Sequence, residues 1–159
     1  MASKEEIASL VTQYNSGVAQ VQEALKGITA EELDRRDSDE WSARMVVHHL
    51  ADSETNSYVR LRRLLGEPDG TTLQGYDEAQ WARTPEFGYE TRPIDVSLAL
   101  FVAVRAACSA TLVDLKPADF VRSGVHTESG PYTLFDWLNI YVAHGRDHAE
   151  QILRAREGK

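Results

Sequence analysis

Five histidines mark where this chain could do chemistry: His48, His49, His126, His144 and His148. His144 and His148 stand four positions apart, so on a helix their imidazoles lie one above the other and two nitrogens can converge on one ion. At about 100° per residue the pair lies beside a stripe of Leu134, Tyr141 and Ile152, toward an interior edge, and Asp147 faces away. The same projection parts the adjacent pair on an earlier helix. His49 sits on the flank of the apolar stripe, next to Val46 and Ser53, whereas His48 falls almost opposite and is expected to meet solvent. Three inward histidines from two helices, His49, His144 and His148, suit a catalytic metal site better than a structural one, because three protein ligands leave room for water or substrate. A dinuclear carboxylate site would need paired Glu-x-x-His motifs, and the chain has none.

A ligating imidazole normally donates its other N–H to a carboxylate or carbonyl. Asp52, three positions after His49, and Gln151, three after His148, are the candidates for that task. Glu54 falls on the stripe side of its helix and is read either as a general base near the metal or as the partner of an arginine from a neighbouring helix. With Asp52 it completes the candidate catalytic carboxylates. Trp41, Trp81 and Trp137 are expected to wall the core or a pocket, and Arg60, Arg62 and Arg63 to form a helix face that packs or solvates rather than an anion site. Cys108, mid-helix in apolar surroundings, reads as a buried inert thiol.

Helices must carry these groups. Ser3 with Glu6 reads as a capping box, and Ile7, Leu10, Tyr14, Val18, Val21 and Leu25 follow at helical steps until Gly27. A second, short box starts at Thr29 with Glu32, before the polar stretch Asp34 to Glu40. Ser42 caps the next long helix, whose stripe is Val46, Leu50, Ser57, Leu61 and Leu64, and Gly66 and Pro68 end it. Residues 66 to 93 hold three of the five prolines and only a weak helical hint at Tyr76 to Trp81, so they read as a long connection. From Ile94 to Leu115 the chain is apolar nearly all round, which predicts the most buried helix. A last helix, capped by Thr133 with Asp136 in its first turn, runs to the charged tail.

Four long helices with almost no alternating strand pattern predict an all-α four-helix bundle over residues 1–159 as one domain. Short links after the first and third helices favour antiparallel neighbours, and the 66 to 93 connection is long enough to run the bundle's length. The order expected is therefore up-down-down-up; in the alternative, that connection is a flap over one end.

Composition narrows the partners. With 159 residues, 17 Lys and Arg against 25 Asp and Glu, the net charge is −8. That leaves no basic footprint for a phosphate backbone, so nucleic acid is not an expected partner. One cysteine excludes an internal disulfide and a Cys-based zinc site. The start MASKEEIASL has no export signal pattern. The longest apolar region, Leu98 to Ala107, is interrupted by Arg105 and read as too short to span a bilayer. A cytoplasmic protein without membrane attachment is expected.

Two blocks carry a resemblance. Trp41-Ser42-Ala43-Arg44 leads to His49-Leu50-Ala51-Asp52, and Gly130 to Trp137 leads to His144-Gly145-Arg146-Asp147-His148 and Gln151-Ile152. Together they resemble the DinB/YfiT-like superfamily over nearly the whole chain. Met45 departs from the Glu that members often carry in that first turn, and His126 resembles a recurring loop residue of the family. The resemblance implies an up-down-down-up bundle and one divalent ion, nickel or zinc, held by His49, His144 and His148. It further implies a thiol S-transferase, joining a small-molecule thiol of the bacillithiol or mycothiol kind to an electrophilic substrate, since an open divalent site can present a thiolate. The same ion could activate water for hydrolysis. A non-catalytic metal-binding bundle is the third reading, and a homodimer is implied by resemblance alone.

Overall fold

The computed structural model describes residues 2–37 and 40–159; Met1 lies outside them, as do Ser38 and Asp39 of the polar stretch read above. Four long helices form the bundle: α1 (Lys4–Leu25), α3 (Ala43–Gly66), α5 (Asp95–Leu112) and α6 (Leu134–Glu157). Between them lie the short helices α2 (Ala30–Asp34) and α4 (Glu78–Arg83) and the strands β1 (Thr71–Leu73), β2 (Ser123–His126) and β3 (Gly130–Thr133).

Helix starts follow local chemistry. Ser3, Thr29 and Thr133 each close a capping box with the acid three residues on, and Ser42 accepts from the amide of Met45. Each cap satisfies an amide that the first turn would otherwise leave open, worth about 1 kcal/mol. The chain order is up-down-down-up. Near the start of α3, Arg44 donates to the Arg92 carbonyl and His48 meets Ser97, so α3 and α5 run side by side in one direction. α1 packs along α6 the other way, with Arg156 donating to the Ala24 carbonyl at their shared C-terminal end. The 66 to 93 connection runs the bundle's length, from β1 at the end of α3 back to Arg92 beside its start.

Three expectations need correction. First, the connection and the 113 to 133 segment contain strands: β1 pairs parallel with β2, and β2 antiparallel with β3. With three or four residues each, they carry no alternation to read. Gly124 in β2 is required by this pairing, since an added Cβ would lie 2.7 Å from the Thr71 carbonyl oxygen.

Second, α5 is not the most buried helix. Only Phe101, Arg105, Cys108 and Leu112 are buried, a single stripe at steps of four, three and four, while Val96 is 80% exposed. The most buried helix is α3, which is covered along its length. Third, α5 is long and apolar enough to cross a membrane, with a mean hydropathy of 1.6 over 18 residues. Arg105 does not interrupt this helix; it points into the bundle, 1% exposed.

The core falls into two halves. One gathers Tyr14, Leu61, Leu64, Trp137 and Leu138, the other Val21, Val46, Leu50, Phe101 and Ile152. Between them Arg105 crosses the bundle, its guanidinium 4.1 Å from the Tyr14 ring centroid and donating to the carbonyls of Tyr14 and Tyr141. Gly17 and Gly145 make the passage: a Cβ on Gly145 would sit 3.2 Å from both the Gly17 Cα and Arg105 Nη2.

Candidate metal centre

Two helices bring three imidazoles to one point. His49 comes from the first half of α3, and His144 and His148 from successive turns of α6. One nitrogen of each lies within 4.8 Å of the others. The Nε2 atoms of His49 and His144 are 3.2 Å apart, and the ring centroids of His144 and His148 are 4.4 Å apart. His49 is 2% exposed and its neighbours are partly buried.

Hydrogen bonds on the far side of two rings fix which nitrogen faces inward. His144 Nδ1 donates to Glu54 Oε1 at 3.3 Å, and His148 Nδ1 to Gln151 Oε1 at 2.7 Å. With the proton held there, each Nε2 presents its lone pair to the common point. His49 Nδ1 is buried with no hydrogen-bond partner. Burial and the nearby rings push the His49 pKa down to about 2 and that of His148 to about 4. Both are therefore neutral at physiological pH, the state in which imidazole binds a metal. This donor set fits a divalent first-row ion, with three ligands and coordination positions left for a guest.

Glu54 is the hinge of the arrangement. It is 0% exposed, and Oε1 accepts from Arg105 Nη2 at 2.6 Å as well as from His144. Of the two readings of Glu54, the structure has the arginine partner: it is paired with Arg105 of a neighbouring helix, and the same oxygen accepts from His144. Asp52 does not reach His49. It accepts from the Tyr89 hydroxyl at 2.7 Å instead, and burial raises its carboxyl pKa. Gln151 stands where it was expected.

Several other residues differ from expectation. His48 does not meet solvent: it is 6% exposed, contacting Ser97 Oγ at 2.8 Å and the Arg92 carbonyl at 3.2 Å, because the returning connection covers that face of α3. His126 lies on β2, away from the three converging rings, and its Nδ1 accepts from the amides of Glu128 and Ser129. Arg62 lies over Tyr58 and Arg63 donates to the Thr72 carbonyl, as a packing face should, but Arg60 is buried. Trp137 is a core residue, Trp41 stacks edge-on against His49 at 5.1 Å, and Trp81 packs on Tyr76. Cys108 is fully buried, its thiol pKa raised by burial to about 11.

Beside His144 opens a cavity of about 200 Å³, walled by Ser53, Arg60, Tyr76, His126 and Tyr141. A larger cleft, of about 720 Å³, has Trp41 in its wall and includes none of the three histidines. Glu78, at the start of α4, stands on the smaller cavity. Desolvation raises its carboxyl pKa, His144 and Arg60 pull it back and the charge of Glu128 raises it again. Sequence reasoning missed Glu78, Tyr76 and Arg60 as site residues. The first two sit in the connection, where no periodicity shows which way a side chain turns.

Comparison with known proteins agrees with this geometry. Residues 13–152 match the model of the DinB superfamily. A protein of Oceanobacillus iheyensis named "Putative metal-dependent hydrolase" is 37% identical over 112 residues, 70% of this chain and 63% of its own length. A Bacillus mycoides protein with the same description is 36% identical over 117 residues, covering 74% of this chain and 65% of its own. The match thus spans just under two thirds of these curated relatives. The structure of YfiT from Bacillus subtilis, described as "a probable metal-dependent hydrolase with an unusual four-helix bundle topology", superposes with a TM-score of 0.88 at 31% identity. That alignment covers 99% of this chain and 91% of YfiT.

Proposed function

The chain belongs to the DinB superfamily, and from that premise we propose that it is a divalent-metal-dependent hydrolase whose ion is held by His49, His144 and His148. The observation that carries this reading is the convergence of three imidazoles within 4.8 Å, two of them with the outer nitrogen already engaged. An ion there supplies two things: it makes bound water acidic near neutral pH and polarises a carbonyl or similar group.

The remaining work falls to this chain's own side chains. Glu54 and Gln151 hold the protons on the outer nitrogens of His144 and His148. Trp41, edge-on to His49, shields that ring from bulk water. Glu78 is the carboxylate placed to take a proton from the attacking water and return it to the leaving group, since it borders the cavity with His144 and its pKa is raised. Glu54 is unsuited to that role because Arg105 holds it fully buried, and Asp52 because Tyr89 occupies it on the other side of α3. The names of the relatives support water as the nucleophile. Thiol transfer rests on the sequence resemblance alone, and nickel and zinc both suit the donor set.

Metal analysis of freshly purified protein tests the reading. The full chain should hold about one equivalent of a divalent ion, and His144→Ala should lose it. The loaded protein should hydrolyse members of an ester and amide panel, with Glu78→Gln lowering kcat at unchanged metal content. Absence of metal in the wild-type protein overturns the proposal, and conjugation of a cellular thiol without hydrolysis would replace it with the transferase reading.

A further inference from the structure

Arg60 is a buried cation with no carboxylate in direct contact; the charge of Glu78 reaches it only across the cavity. It is 9% exposed, and among the described residues no carboxylate lies within ion-pair distance of it. Among the described residues the only other arginine this deeply buried, Arg105, is paired with Glu54 at 2.6 Å. Arg60 has neutral acceptors instead. Nε and Nη2 both donate to the Gln74 carbonyl, at 3.2 and 2.9 Å, and Nη1 donates to the Tyr141 hydroxyl at 3.0 Å. Of the five N–H groups of a guanidinium, one on each terminal nitrogen remains open. A buried charge left unneutralised is costly, and folds retain one where something else supplies the opposite charge.

Three further donors share the cavity wall with Arg60. Tyr141 accepts from Arg60, so its own proton is turned away from the guanidinium, with the Ser53 hydroxyl as its neighbour. His126 accepts two backbone N–H bonds at Nδ1, at 3.3 and 3.4 Å, which leaves its proton on Nε2. The Tyr76 hydroxyl is buried without a hydrogen-bond partner. All four residues line the cavity that also holds His144, and Tyr141 bridges the two, its ring 5.6 Å from the His144 ring.

We infer that Arg60, the Tyr141 hydroxyl and the His126 ring N–H form a binding subsite for a carboxylate beside His144. Two open N–H groups on adjacent terminal nitrogens suit the two oxygens of a carboxylate. Glu78 and Glu128, which share the cavity wall, oppose a doubly charged phosphate, so a monoanion is the better fit. At about 200 Å³ the space takes a carboxylate on a short arm, being smaller than the usual ligand pocket. That this carboxylate is the anchoring arm of the substrate rests on the hydrolase reading: held at Arg60, the rest of the molecule extends toward His144.

The test uses the full chain in metal-free form, where no ion can bind the probe. Titration with propionate is followed by the Nε–H resonance of Arg60 and by thermal midpoint, with propionamide as the uncharged control. Propionate should shift the Arg60 resonance and leave that of Arg105 in place, raise the midpoint, and bind at least tenfold more weakly to Arg60→Met; propionamide should do none of this. Equal binding of propionamide, an unmoved Arg60 resonance, or undiminished propionate binding to Arg60→Met overturns the inference. If the variant fails to fold, the wild-type resonance decides alone. Failure of the metal reading would appear as absent metal in the untreated protein and leaves this result untouched.

Discussion

Replacing Glu54 by Gln should be among the most damaging single changes in this protein, although it exchanges one oxygen for an amide nitrogen and hardly changes the volume. Glu54 and Arg105 are 0% and 1% exposed at their side chains. The substitution leaves the guanidinium charge inside the bundle with neutral groups alone: the carbonyls of Tyr14 and Tyr141, the Tyr14 ring and the new amide oxygen. Breaking one side of such a pair costs about 3–5 kcal/mol, out of the 5–15 kcal/mol or so that holds a domain together. At roughly 2–4 °C per kcal/mol for this chain length, the thermal midpoint of the metal-free protein should fall by about 6–20 °C. Glu54→Gln/Arg105→Met removes both charges and should recover most of that loss. Metal affinity should separate from stability in this pair of variants. Both weaken the acceptor of the His144 Nδ1 proton, so both should bind metal about 10–100-fold more weakly. Chemical unfolding gives the first quantity and competition with a chelator the second. A single-variant cost below about 1 kcal/mol, or a double variant destabilised by the sum of its parts, would refute the reasoning.

Gly145→Ala should destabilise by about 1–3 kcal/mol, opposite in sign to the gain of up to about 1 kcal/mol expected at an ordinary helical glycine, because the new methyl meets Gly17 and Arg105; unfolding curves check it. The metal-free protein should lose stability as pH falls below about 6.5. There the unfolded chain protonates its histidines while folded His49 and His148 stay neutral, down to pH about 2 and about 4. Each contributes a slope of up to about 1.4 kcal/mol per pH unit, and neither contributes above 6.5; a flat profile of midpoint against pH contradicts this. Cys108 should resist aromatic disulfide reagents at pH 8 in the folded protein and react fully in denaturant. Fast modification of the native state would show that the thiol is less enclosed than its position implies.

What could be read from the sequence was local. The capping boxes at Ser3, Thr29 and Thr133 depend on residues three apart, and the pairing of His144 with His148 on residues four apart, so short-range rules sufficed. The stripe of α3 placed His49 inward because its apolar neighbours outvote it. The same projection failed for His48, which lies opposite that stripe yet is covered by a connection arriving from more than 40 residues away, through Arg92 and Ser97. It failed for α5, where apolar residues on every side hide the one stripe that packs. Arg60 sits in a run of three arginines whose types are identical, and only the neighbours of each distinguish a solvated charge from an enclosed one. The strands escaped notice because three or four residues each carry no alternation, and because β1 exists only through β2, some 50 residues distant.

The parallel pairing of β1 with β2 splices the two surface segments that supply Tyr76 and His126. Leu73 and His126 are register partners, and the next residue, Thr127, donates its amide to the Leu73 carbonyl and accepts from Gly75 at its hydroxyl. The mouth of the cavity is therefore a single cassette assembled from two stretches of chain. Anyone seeking to retarget it by grafting the loop of a relative would have to transplant both stretches together.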